Sequence, residues 1–114
     1  MRLFKAFRIF LALGPASICA AEKLVPETPV KVAFLGDQGL GPNSVAVLKL
    51  VKSEKVDLVL HQGDFDYDSD PKAWDAQITS VLGDSFPYLA SIGNHDTNAL
   101  AGYQEVLDRR LSRT

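Results

Sequence analysis

The sequence predicts an α/β domain ordered β-α-β-α-β-α around a parallel sheet. Three observations predict it. Short apolar, β-branched runs each stop at a glycine; helical patterns with start and stop signals lie between and after them; and 46% apolar with 23% charged residues is close to the globular average. That composition excludes collagen-like, disordered and multi-span membrane chains.

The chain of 114 residues opens with Arg2, Lys5 and Arg8, continues through Ile9-Phe10-Leu11-Ala12-Leu13, and reaches the small residues Ala16 to Ala21. This order predicts a secretory signal peptide over residues 1–21, cut after Ala21 or one residue earlier. The apolar run is far shorter than the ~20 residues that cross a bilayer, so no stable membrane span is expected after cleavage. The destination is then secreted or extracytoplasmic. Cys19 leaves with the leader, and the mature part, residues 22–114, has no cysteine for a disulfide. Its nine basic and fourteen acidic residues give a net charge of −5, which argues against nucleic acid as a partner.

The first strand is predicted over Val30-Lys31-Val32-Ala33-Phe34-Leu35, ending at Gly36. Pro42 and Asn43 then introduce a helix with Val47, Leu48 and Val51 on one side. The second strand, Val56 to His61, stops before Gly63. Asp70 can cap a helix that begins at Pro71, carries Trp74, Ile78, Val81 and Leu82 at helical spacing, and stops at Gly83. Phe86 to Ile92 is the third strand, ending at Gly93. The last helix has a stripe of Leu100, Tyr103, Leu107 and Leu111, with Arg109 and Arg110 in its final turn, where the helix dipole favours cations. A parallel sheet of this kind needs both faces covered. Three helices can only just manage that, and the pattern is expected to be the amino-terminal part of something larger.

In an open parallel sheet, ligands bind beyond the carboxyl ends of the strands. Each strand here delivers a polar cluster at that end: Gly36-Asp37-Gln38-Gly39, Gly63-Asp64-Phe65-Asp66-Tyr67 and Gly93-Asn94-His95-Asp96. The intervals of 27 residues (Asp37 to Asp64) and 30 (Asp64 to Asn94) are each close to one β-α-β unit. Alone, G-D-x-G is ordinary turn chemistry. Together, the clusters gather two carboxylates, a phenol, an amide oxygen and an imidazole, which suits hard or borderline cations.

G-D-x-G, G-D-x-x-Y and G-N-H-D, in this order after successive strands, resemble the first three motifs of the purple acid phosphatases, a branch of the calcineurin-like metallophosphoesterases. The resemblance spans Val30 to Asp96 and implies the first half of a metallophosphoesterase α/β sandwich. Many metallophosphoesterases carry a histidine two residues after the first aspartate. Gly39 stands there, and Tyr67 occupies the place of the tyrosinate that the purple acid phosphatases put on ferric iron. The resemblance implies two metal ions, Fe(III) with Fe(II), Zn or Mn. Asp37 and Tyr67 would bind the first, Asp64 would bridge, and Asn94 would bind the second. His95 would act on the substrate, and Asp96 would orient its imidazole. The implied activity is hydrolysis of a small phosphorylated substrate, a phosphomonoester or diester, as in an acid phosphatase. The family's later histidine motifs are absent, since the chain contains only His61 and His95, so the 114-residue chain is expected to be incomplete and inactive.

Other readings are weaker. Asp64, Asp66, Asp68, Asp70 and Asp75 fall at calcium-loop offsets, but Ser69 replaces the glycine and Asp75 the glutamate. A calcium-binding secreted module and a degenerate, non-catalytic copy remain as alternatives. Asp64-Phe65-Asp66 is also similar to a haloacid-dehalogenase nucleophile pair, yet Asp68 stands where Thr or Val is needed. Gly36 to Gly41 lacks the order and basic residue of a phosphate loop. His61, Trp74 and Tyr103 read as packed residues.

Overall fold

A computed structural model describes residues 28–113. The expected signal peptide and Cys19 lie outside them. Three strands, β1 (Val32–Leu35), β2 (Leu58–His61) and β3 (Tyr88–Ala90), form one parallel sheet in the order β1-β2-β3. Helices α1 (Pro42–Ser53), α2 (Pro71–Leu82) and α3 (Leu100–Leu111) follow them in turn, with a 3₁₀ segment, His95–Ala99, ahead of α3. Each strand is shorter than its apolar run. Pro87 has no N–H to donate, and β3 begins only after it, although the Pro87 carbonyl still accepts from Val59 N–H at 3.0 Å. Among the described residues, no helix is long and apolar enough to cross a membrane.

The register aligns Ala33, Val59 and Tyr88, and Leu35, His61 and Ala90, on one face of the sheet. Leu48 and Val51 of α1, Trp74, Ile78 and Val81 of α2, and Tyr103 and Val106 of α3 all join this face in a single buried core. The opposite face carries Phe34, Leu60 and Leu89 in register; Phe34 is 65% exposed and Leu89 37%. The expected cover on both faces is therefore not provided by these helices. The strand order supplies the reason: crossovers of one hand that always step in one direction lay every helix on the same side.

Two helical stripes also sit differently from their sequence reading. In α1 the buried set is Ser44, Leu48 and Val51, while Val47 is 44% exposed. In α3 it is Tyr103, Val106 and Arg110, while Leu100 and Leu111 are exposed. Arg110 turns inward because Asp75 of α2 offers it a partner 2.7 Å away. The α2 signals hold as read. Asp70 accepts from Ala73 N–H at 3.0 Å, a cap worth about 1 kcal/mol, and Gly83 ends the helix at φ +102°.

His61 is 2% exposed against Phe65, Trp74 and Tyr88, and its Nδ1 accepts from Gly63 N–H at 3.2 Å. Burial lowers its pKa to about 4, against the opposing pull of Asp96, Asp37 and Asp64. The folded chain thus refuses a proton that the unfolded chain accepts below pH ~6.5. This contribution to stability is complete above that value and is lost as pH falls toward 4. Urea unfolding at pH 7.5 and pH 5 is expected to show roughly 2 kcal/mol from this source, a difference that shrinks in His61→Gln.

Candidate metal centre

The loops after β1 and β2 continue the sheet pairing past the strands. Gln62 N–H donates to Leu35 O at 2.8 Å, Asp37 N–H to Gly63 O at 3.2 Å, Gln38 N–H to Asp64 O at 3.0 Å and Gly39 N–H to Phe65 O at 2.9 Å. The G-D-x-G and G-D-x-x-Y segments are therefore laid side by side by their backbones. Asp37, Asp64, Tyr67 and Ser69 all adopt left-handed backbone angles, with φ of +52°, +58°, +63° and +56°. Such angles cost a non-glycine residue roughly 1–2 kcal/mol each, so surrounding bonds must enforce them.

The loop after β3 meets the second loop backbone to backbone. A Cβ on Gly63 would lie 2.5 Å from Gly93 N, and one on Gly93 would lie 2.2 Å from Asp64 Oδ1. Glycine is required on both sides of this approach. His95 N–H donates to Asp64 Oδ1 at 3.0 Å, which ties the third motif to the carboxylate of the second.

Of the sequence-predicted site residues, Asp37 and Tyr67 are in direct contact: the phenol donates to Asp37 Oδ1 at 2.5 Å. That bond, before any other cause, pushes the Tyr67 pKa up to about 12. The His95 ring lies 4.9 Å from the Tyr67 ring, centroid to centroid, and both side chains are exposed. Asn94 is exposed beside Gly93, and its backbone carbonyl accepts from the Thr97 hydroxyl at 2.9 Å. Within the described residues, neither the Asn94 amide nor Asp64 Oδ2 takes a hydrogen-bond partner.

Asp96 stands elsewhere than expected. It is 1% exposed, and its carboxylate accepts from Asp64 N–H (2.9 Å), Phe65 N–H (2.8 Å) and Gly93 N–H (2.7 Å). Both oxygens accept from backbone groups, and among the described residues no hydrogen bond joins Asp96 to the His95 imidazole that it was expected to orient.

Two residues of the site region escaped the sequence reading. Gln38, between the turn glycines, points inward: it accepts from the Tyr88 hydroxyl at 2.6 Å and donates to Gln77 at 2.7 Å, and Gln77 donates to Ser44 at 3.1 Å. This chain anchors the first loop to α2, α1 and β3. Asp66 is 2% exposed and accepts from Asp68 N–H and Asp70 N–H at 2.9 and 3.0 Å. Its signal was the Asp-x-Asp spacing, which allows a side chain to bond the backbone two residues on.

The acidic run does not converge as a calcium loop would. Asp66 holds backbone, Asp70 caps α2, and Asp75 pairs with Arg109 and Arg110. Among the described residues, no group of three His, Cys, Asp or Glu side chains is gathered closely enough to hold an ion. The candidate centre instead draws on a phenol and an amide. The touching Asp37 carboxylate and Tyr67 phenol are oxygen donors of the kind hard cations prefer, and the free Asp64 oxygen and Asn94 amide stand on the adjoining loops. In this chemistry the residues fit a cation.

No curated protein and no solved structure matches this chain. The family model for calcineurin-like phosphoesterases matches residues 30–113, from the lead-in of β1 to the turn after α3 and through all three motif loops. By that match, the chain belongs to the calcineurin-like phosphoesterase family.

Proposed function

We propose that the chain carries the amino-terminal half of an exported, binuclear metal phosphoesterase of the purple-acid-phosphatase-like branch. The supporting observation is the contact between Asp37 and Tyr67, which come from different loops, in a chain whose first motif has Gly39 where a ligand histidine is usual. Asp37 and Tyr67 would hold a ferric ion. Asp64 would face both ions, and Asn94 would hold the second, Fe(II), Zn or Mn. When bound, such a pair supplies Lewis acidity to the phosphoryl oxygens and activates the attacking water.

The chain's own groups set the rest. The exposed His95 ring, next to Tyr67, would donate a proton to a leaving alcohol on the open side of the rim. Its backbone bond to Asp64 keeps it in register with the metal donors. The substrate is a small phosphate ester. Full turnover would belong to a longer form that carries the remaining histidine ligands, and export would rest on the signal segment at residues 1–21.

Colour tests the tyrosinate. After loading with Fe(III), the protein is expected to show a visible absorption band that disappears in Tyr67→Phe, while far-UV circular dichroism stays the same. A colourless ferric protein, or a band that survives Tyr67→Phe, rules out this branch.

A further inference from the structure

We propose that Asp96 is a positioning residue: its buried carboxylate fastens the loop after β2 to the loop after β3 and so fixes where Asp64 and Asn94 present their donors. This rests on the reading of Asp64 and Asn94 as metal ligands and gives Asp96 a role different from the imidazole-orienting one that the resemblance implies. The two loops meet at Gly63 and Gly93, where no side chain can fit between the backbones. Their attachment therefore falls to backbone N–H groups, and these need an acceptor. Asp96 provides one with several lone pairs: Oδ2 takes Asp64 N–H and Gly93 N–H, and Oδ1 takes Phe65 N–H. Bonds of this charge-assisted kind are about twice as strong as neutral ones.

The partners are the informative part. Asp96 holds the N–H of Asp64 itself and of the next residue, at the point where Asp64 sits at φ +58°. A strained angle lasts only where neighbouring bonds over-determine it. Through Gly93 N–H, the same carboxylate sets the residue that precedes Asn94. Asparagine cannot substitute. With its oxygen in the Oδ2 position, its NH₂ would face Phe65 N–H, donor against donor; turned over, it would face the other two.

The test uses the full 114-residue chain, ¹⁵N-labelled, with Mn²⁺ as the probe. Asp96→Asn is expected to weaken Mn²⁺ binding by about 10- to 100-fold, the usual effect of losing a group that orients ligands. It is also expected to speed amide exchange at Asp64, Phe65 and Gly93 at least tenfold. Asp96→Glu, which restores the carboxylate, should recover part of both. Val106→Ala, a core change in α3, should lower thermal stability while leaving Mn²⁺ affinity as in the wild type. Faster exchange with unchanged Mn²⁺ affinity would reduce Asp96 to a purely structural role and overturn the proposal. Unchanged exchange at all three amides overturns it as well. If Asp96→Asn does not fold, couplings across the hydrogen bonds between these amides and the Asp96 carboxylate, measured in the wild type, decide: their absence refutes the clamp. A wild-type chain that binds no Mn²⁺ counts against the metal reading and the positioning role together, while the exchange and coupling data show separately whether the clamp exists.

Discussion

Asp64→Asn is expected to lower kcat/KM for an aryl phosphate by at least about a thousandfold in a catalytically complete longer form, a loss of about 4 kcal/mol of transition-state stabilisation. In the 114-residue chain it is expected to reduce bound metal, measured by elemental analysis. The substitution is informative because it spares the fold. Asparagine tolerates left-handed backbone better than other non-glycine residues, so the φ of +58° survives. Its side-chain oxygen can still accept from His95 N–H, as Asp64 Oδ1 does at 3.0 Å. What disappears is the negative charge that would offset the repulsion of two cations held ~3.5–4 Å apart. Chelation of the unsubstituted protein should abolish turnover in the same way, and added metal should restore it. An Asp64→Asn protein with unchanged turnover and metal content refutes the bridging role.

Arg110→Ala is expected to destabilise the fold by about 3–5 kcal/mol in urea unfolding. Arg110 is 1% exposed, contacts Asp75 Oδ1 at 2.7 Å, and donates through Nη2 to Asp75 O at 3.0 Å and to Thr79 Oγ1 at 2.8 Å. Its guanidinium also lies 6.0 Å from the centre of the Tyr88 ring. Removing it opens a cavity between α2 and α3 and leaves Asp75, which is 19% exposed, with Arg109 alone among the described residues to balance its charge. Among the described residues, the Nε and Nη1 groups have no hydrogen-bond partner, so the pair itself adds less than its geometry suggests; the cost arises from breaking it. Arg110→Lys, which keeps the charge but loses the planar fork, should fall between wild type and alanine. A loss under ~1 kcal/mol would show that the pair does not anchor α3.

The order of elements was legible in the sequence because each boundary carries its own local chemistry: Asp70 and Pro71 open α2, Gly83 closes it, and Gly36, Gly63 and Gly93 mark the strand ends. Helix rotation was less legible. Apolar periodicity favours Val47 and Leu100, but the core selects Ser44 and Arg110, because hydrogen bonding to Gly41 and pairing with Asp75 outweigh hydropathy at those positions. At the site, the convergence of the three loops followed from topology, whereas the pairing of Asp37 with Tyr67 came only from the resemblance, which implies one metal for both. The destination of the Asp96 carboxylate did not, because its three partners are backbone N–H groups, and a sequence does not display those. Gln38 was hidden for a similar reason: its partners lie 39 and 50 residues away.

Four unfavourable torsions in a row of motif loops also bear on how this protein can be improved in the laboratory. Glycine at positions 37, 64, 67 or 69 would relieve backbone energy, so a screen for heat resistance alone would tend to reward those replacements. At 37, 64 and 67 such winners would sit more easily in their turns, yet they would lack the side-chain oxygens on which the metal binding proposed above depends.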